Sequence, residues 1–228
     1  MNERTRHQIT NVAGFAGLSM FLLLAFYAFA SHQSGGNLYV NNDEFESVML
    51  SITEHKHLFE LSALAQILAA VCMVPIALSL VLSFEEDRGY AIVAGCLMAM
   101  AAVVLVVAFT HYGNLTGTSF DFIHHRAPAD VVINKADSIS DQFQILEFAG
   151  LVIWGIALVG FSVLMARAED FPSPLAWLTF TVGIVCFAYV RAPILLDVSR
   201  IGWGLAMGSY MLLRDPIAVT AQEQTETA

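Results

Sequence analysis

The stretch YVRAPILLDVSRIGWG, residues 189–204, places Arg191, Asp197 and Arg200 in an otherwise apolar segment near the end of the chain. A charge at the centre of a bilayer costs about 2.5–3.5 kcal/mol on insertion scales, so such residues face a bundle interior or water and find partners. Asp197 and Arg200 lie one helical turn apart, where opposite charges can meet. The stretch therefore predicts a charge pair that faces neighbouring helices and not lipid.

Two further carboxylates, Glu60 and Glu147, stand at the start of other apolar segments. We expect Glu60, Glu147, Asp197 and Arg200 to converge at one end of a helical bundle, with Arg191 beside them. Convergence from three helices predicts an outward-facing polar pocket that binds a small ligand. A charge pair that only fixes the last helix against its neighbours is the simpler interpretation of the same residues.

Histidines form a second candidate set: His55, His57, His111, His124 and His125. Neutral imidazole together with carboxylate suits zinc, copper, nickel or iron, so these residues could ligate a transition metal. The sequence contains no H-E-x-x-H motif and no cysteine ligand set. We therefore expect no cofactor, and keep a metal bound at these histidines as the alternative.

The elements that position these residues are predicted from composition. Apolar residues make up 57% of the 228 residues and charged residues 13%, about half the charged share of an ordinary soluble domain. A helix needs about 20 mainly apolar residues to cross hydrocarbon. The six runs of suitable length are Val12–Ala30, Leu61–Phe84, Gly89–Thr110, Phe148–Ala166, Phe171–Val190 and Ile194–Leu213. They predict a single all-α transmembrane domain over residues 1–228.

Six spans put both termini on the same side of the membrane. The short turns EEDRG and RAEDFPSP each carry an arginine beside the bilayer, which predicts that this side is cytoplasmic. The long connections 31–60 and 111–147 then lie outside, and their polar and apolar spacing predicts short amphipathic helices. We expect a multi-pass protein of a prokaryotic cytoplasmic (inner) membrane.

Partners follow from the charge and the small residues. The net charge of −10 argues against nucleic acid, because binding phosphates needs clustered lysine and arginine. The lipid bilayer is one expected partner, and other membrane subunits or a second copy of the chain are further candidates. Gly204 and Gly208, four residues apart, and Gly150, Gly155 and Gly160 predict close helix packing.

The chain resembles a bacterial family of six-span integral membrane proteins of unknown function. The resemblance lies in a long outer connection after span one, the leucine- and alanine-rich spans two and three, and the proline-bearing turn before span five in ARAEDFPSPLAWLTFTVGI. Where that turn often carries an arginine, this sequence has Ser173 and Pro174. The resemblance implies the architecture and no activity.

The leading hypothesis is a non-enzymatic membrane protein that binds a small polar or amphipathic ligand in the outward-facing pocket. One alternative is an accessory subunit of a larger membrane complex. Another is a metal-binding protein or metalloenzyme that uses the outer-side histidines. The sequence leaves open whether the protein is an enzyme.

Overall fold

The computed structural model describes residues 3–33, 45–124, 128–188 and 193–226, and all regular structure within these ranges is α-helical. Long apolar runs favour helices because each backbone N–H and C=O then finds its partner within its own segment. The eight helices within these ranges are α1 (Glu3–Gln33), α2 (Phe45–Glu54), α3 (Lys56–Ser83), α4 (Arg88–Gly113), α5 (Leu115–Ile123), α6 (Ala129–Arg167), α7 (Ser173–Phe187) and α8 (Pro193–Glu226).

Six of these helices form a closed ring. Helix α1 packs against α3 and α8, α4 packs against α3 and α6, and α7 packs against α6 and α8. The order around the ring is therefore α1, α3, α4, α6, α7 and α8. Each of the six helices packs against the ring helices that come before and after it along the chain, and α8 closes the ring by packing against α1.

Four segments are long and apolar enough to cross a membrane: Thr5–Ser31, Lys56–Ser83, Arg88–Ile123 and Asp130–Arg167. They overlap the first four predicted spans, so the expectation of an all-helical membrane protein is supported. The fifth predicted span is the shorter apolar helix α7. The sixth lies in α8, which carries Asp197 and Arg200 within its first turns.

The helices extend beyond the predicted spans at several ends. Helix α6 begins at Ala129, well before the predicted span boundary at Phe148, and runs without a break into the apolar segment. The polar segment around Ser138 and Asp141 lies in that continuous helix. Helical hydrogen bonding thus continues where the hydrophobic pattern stops.

The two long connections contain the short helices α2 and α5, which pack against each other at one end of the ring. Val48, Met49 and Ile52 are buried on one face of α2, which confirms the amphipathic helix predicted in the first connection. The Ser119 hydroxyl on α5 donates a hydrogen bond to the Met49 carbonyl, and the hydroxyls of Thr53 and Ser119 are also hydrogen-bonded.

At the opposite end of the ring, Arg6 joins α1 to the turn between α3 and α4. Its Nη1 atom lies 2.9 Å from Oε1 of Glu85, and its Nη2 donates to the Leu82 carbonyl at 3.0 Å. The Glu85 pair is exposed, where an ion pair contributes about 0–1 kcal/mol. The contact nevertheless shows that the beginning of α1 lies beside the end of α3.

Arg214 joins α8 to two turns at the same end. Its Nη2 lies 2.8 Å from Oδ2 of Asp170, between α6 and α7, and its Nη1 donates to the Ser83 hydroxyl at 3.3 Å. The guanidinium also lies 5.0 Å from the ring centroid of Phe171. The Tyr210 hydroxyl donates to the Asp170 carbonyl at 2.7 Å. We call the contacts of Arg6 and Arg214 the basal clasp.

Glycines permit the closest approach between α1 and α8. A Cβ atom added to Gly208 would lie 2.6 Å from the Leu18 backbone nitrogen, and one added to Gly17 would lie 2.6 Å from the Gly208 Cα. The predicted packing role of Gly204 and Gly208 is therefore confirmed. Helices α6 and α7 meet in the same way at Gly155, where an added Cβ would lie 2.8 Å from the Gly183 carbonyl oxygen.

Gly208→Ala should destabilise the protein by about 1–3 kcal/mol, because the new methyl group would press into the backbone of α1. Gly202 lies on the same helix, and a Cβ added there would have no atom within 4 Å, so Gly202→Ala should be neutral, or stabilising by up to about 1 kcal/mol through helix propensity. Thermal unfolding of the detergent-purified variants measures both. Equal unfolding midpoints for the two variants would contradict the close α1–α8 crossing.

Candidate functional site

The most deeply buried charge in the described residues is Arg200 on α8, whose side chain is 4% exposed. Its Nη1 lies 4.0 Å from Oδ1 of Asp197, one turn earlier on the same helix, whose side chain is 33% exposed. The predicted pairing of these residues is present, at the long limit for an ion pair. Because the distance is long, Arg200 needs further partners.

Gln66 on α3 supplies one of these partners. Arg200 Nη2 donates to Gln66 Oε1 at 2.9 Å, and both side chains are buried. Arginine has no acceptor atom, so the amide must present its oxygen to the guanidinium and direct its NH₂ group elsewhere. Helix α3 is not a ring neighbour of α8, so this hydrogen bond crosses the interior of the ring.

Trp154 on α6 supplies another partner. The Arg200 guanidinium carbon lies 5.5 Å from the Trp154 ring centroid, within the range of a cation–π contact. Trp203, one turn beyond Arg200 on α8, packs edge-on against Trp154 at 5.7 Å between centroids. The Trp203 indole N–H donates to the Thr179 hydroxyl on α7 at 3.1 Å. These contacts hold α6, α7 and α8 together.

Glu147 on α6 completes the charged group. Its side chain is buried, and the charges of Arg200 and Asp197 both act on it. Glu147 precedes Trp154 by two helical turns, about 10 Å at 1.5 Å per residue, and therefore shares its face of α6. The same charges act on Tyr27 of α1, and Glu147 also acts on Tyr112 of α4. Side chains of α1, α4, α6 and α8 thus lie within electrostatic range of one another.

We call Arg200, Asp197, Gln66, Trp154 and Glu147 the buried centre. Within the described part of the chain, Arg200 Nε, Gln66 Nε2 and Trp154 Nε1 are buried and have no hydrogen-bond acceptor. An unmet buried polar group costs about 1–3 kcal/mol. All three atoms are donors, so the centre can bind the oxygen of a water molecule or of a small ligand.

Glu60 lies outside this centre, contrary to the expected convergence of four charged residues. Its side chain is 43% exposed, with Oε1 3.8 Å from Lys56 Nζ and Oε2 3.8 Å from His57 Nδ1. Glu60 belongs to the first turns of α3, where water is accessible and a carboxylate needs no buried partner. Gln66 lies six residues further along α3, about 9 Å deeper, and provides the contact to Arg200 instead.

Arg191 and His125 lie outside the described residues. His57 is 94% exposed, and the Nδ1 atoms of His55 and His124 lie 3.2 Å from the Ser51 carbonyl and 2.9 Å from the Phe120 carbonyl. His111 is half-buried in the last turn of α4. Among the residues that the structure describes, no three histidine, cysteine, aspartate or glutamate side chains form a group that could hold a metal.

Two members of the buried centre were not anticipated from the sequence. Gln66 is an uncharged residue in the apolar run SALAQILAA, and a polar amide in such a run is the signal that could have identified it. Trp154 lies in the middle of its apolar segment, away from the span ends where interfacial tryptophans are expected. That position could have indicated an interior contact.

A family described as a domain of unknown function, DUF4386, matches residues 15–223. The chain belongs to the DUF4386 family. The match extends from α1 into α8 and includes every residue of the buried centre. No curated protein and no solved structure matches the chain. Membership agrees with the resemblance to a family of unknown function and assigns no activity to the centre.

Proposed function

We propose that this DUF4386 protein crosses the inner membrane of a prokaryote six times. The ring order supports six passes, because α7 and α8 occupy places equivalent to those of the four long apolar segments. Helix α7 has 15 residues, about 22 Å at 1.5 Å per residue, which is short of the roughly 30 Å hydrocarbon core. Local thinning of the bilayer can accommodate the difference. The buried Arg200 side chain faces inward, so lipid does not oppose insertion of α8.

A cytoplasmic position for the basal clasp and both termini is supported by arginine placement. Arg6 and Arg214 lie in the clasp, Arg88 begins α4 and Arg167 ends α6, all at the same end of the ring. Positively charged residues close to span ends favour the cytoplasmic side, whereas nearby acidic residues have little influence. Helices α2 and α5 would then lie on the outer side.

The function that the geometry supports best is binding of a small polar or amphipathic molecule in the ring interior. The supporting observation is the set of three buried donors without an acceptor around Arg200. A purely structural charge cluster is expected to satisfy its own donors, because each unmet group reduces stability. A ligand that supplies oxygen acceptors would compensate this cost only when bound.

The two alternative functions have less support from specific contacts. Glycines, which could serve at a docking face between subunits, form close contacts inside the chain, between α1 and α8 and between α6 and α7. A role as an accessory subunit stays a prediction without an identified surface. A metal site stays a prediction as well, since no three possible metal ligands in the described ranges form a group that could hold an ion.

The topology can be tested with single cysteines in a variant whose native cysteines are replaced by alanine. A membrane-impermeant maleimide should label His57→Cys and Ala188→Cys in intact cells, because both exposed positions lie at the outer end of the ring. Glu86→Cys and Glu169→Cys should react only after permeabilisation. Labelling of Glu169→Cys in intact cells, or protection of Ala188→Cys, would contradict the six-pass arrangement.

Ligand binding can be tested by native mass spectrometry of protein purified in mild detergent. We expect a non-protein adduct of constant mass on the wild type and on Arg6→Gln, which removes an exposed arginine from the basal clasp. The adduct should fall at least about tenfold on Arg200→Gln, because removing a charged donor costs about 1.5–3 kcal/mol. Trp154→Phe, which retains an aromatic ring, should also reduce the adduct, and it replaces Arg200→Gln as the test variant if Arg200→Gln fails to fold. Absence of an adduct, or equal retention by all variants, would contradict the proposal.

A further inference from the structure

We infer that the acceptor bound at the buried centre is a neutral carbonyl oxygen on a lipid-soluble molecule, the chemistry of a ketone, a quinone or an ester. This inference rests on the proposed ligand-binding function and specifies the ligand class. Its basis is the juxtaposition of three unmet donors with an arginine whose positive charge is already offset by a neighbouring carboxylate.

The donors define the hydrogen-bonding character of the ligand. Arg200 Nε, Gln66 Nε2 and Trp154 Nε1 can only donate, and each is buried without an acceptor in the described ranges. They lie close together, since Gln66 accepts from the Arg200 guanidinium at 2.9 Å and Trp154 lies under it at 5.5 Å. A ligand whose main polar group donates, such as an ammonium, would leave all three unmet.

The charges distinguish a neutral acceptor from an anion. Asp197 offsets the positive charge of Arg200, and Glu147 contributes either no charge or a negative one. With Asp197 ionised, the centre has no net positive charge in either protonation state of Glu147. An added anion would bring uncompensated negative charge into a low-dielectric interior, which is costly. A carbonyl oxygen has two lone pairs and can accept hydrogen bonds from two of the donors without that cost.

The surroundings favour a lipid-soluble molecule. Leu151 lies between Glu147 and Trp154 on α6, Leu196 directly precedes Asp197 on α8, and both belong to the buried apolar core. On the outer face of α8, Leu195 is 53% and Val198 is 62% exposed on either side of Asp197. A molecule approaching the partly exposed end of the centre thus meets an apolar surface.

The two tryptophans of this region provide a matched pair for testing the inference. Trp154 and Trp203 are both fully buried and contact each other. The Trp203 N–H is already bound to Thr179, whereas the Trp154 N–H has no acceptor in the described residues. Replacing either by phenylalanine removes one N–H and retains an aromatic ring, but only Trp154→Phe removes a donor that is available to a ligand.

The experiment measures thermal unfolding of wild type, Trp154→Phe and Trp203→Phe in lipid nanodiscs at pH 7.5 with 2-decanone, decanoate or decylamine. These probes share a chain length and differ in head group. We expect 2-decanone to raise the wild-type midpoint by about 3–6 °C near ten times its half-saturating concentration. In Trp154→Phe the half-saturating concentration should rise about five- to tenfold, as expected for one lost hydrogen bond. Trp203→Phe should start from a lower midpoint and retain the wild-type half-saturating concentration.

Equal responses of the two tryptophan variants to 2-decanone would overturn the inference, because the shift would then reflect partitioning into the bilayer. A Trp154-dependent shift with decanoate or decylamine in place of 2-decanone would overturn the neutral carbonyl and leave ligand binding intact. If no probe shifts the midpoint while native mass spectrometry shows an Arg200-dependent adduct, the neutral carbonyl is likewise overturned and ligand binding is left intact. No shift together with no adduct would overturn both the inference and the proposed function.

Discussion

A guanidinium can be removed from water only where other groups replace its hydration, because an uncompensated charge in an apolar interior costs more than ordinary packing contacts return. Arg200 meets this requirement through three helices: Asp197 on its own helix, Gln66 on α3 and Trp154 on α6. Rotation of α8 by one residue, about 100°, would remove the contacts of Arg200 to Gln66 and Trp154 together. The orientation of α8 in the ring is therefore coupled to the burial of a single charge.

The remaining contacts make this burial geometrically possible. Glycine contacts bring α8 against α1 and α7 against α6 without intervening side chains, which closes the ring around its polar interior. The basal clasp ties the helix ends together at one end, and α2 and α5 pack on each other at the opposite end. The buried centre thus lies within a frame fixed at both ends. Such a frame can retain unmet donors because other contacts maintain the fold.

Much of the architecture follows from local pattern. The long apolar runs predicted helices at the observed places, and the three-residue spacing of Asp197 and Arg200 predicted their pairing. The expectation for Glu60 failed because its place at the start of an apolar run does not reveal its water-exposed surroundings. Gln66 was missed because a neutral amide barely disturbs a hydrophobic pattern. Trp154 was missed because helical periodicity does not specify which helix lies opposite. Helix order around the ring is a long-range property, and it determines which polar groups meet.

The central claim is that Arg200 and Gln66 make direct contact across the ring, and a double-mutant cycle tests it most directly. The free energies of unfolding of Arg200→Gln, Gln66→Leu and the double variant would be compared with that of the wild type in detergent. A hydrogen bond to a charged group predicts a coupling free energy of about 1.5–3 kcal/mol between the two substitutions. Effects that add to within about 0.5 kcal/mol would show that the two side chains do not interact and would contradict the account.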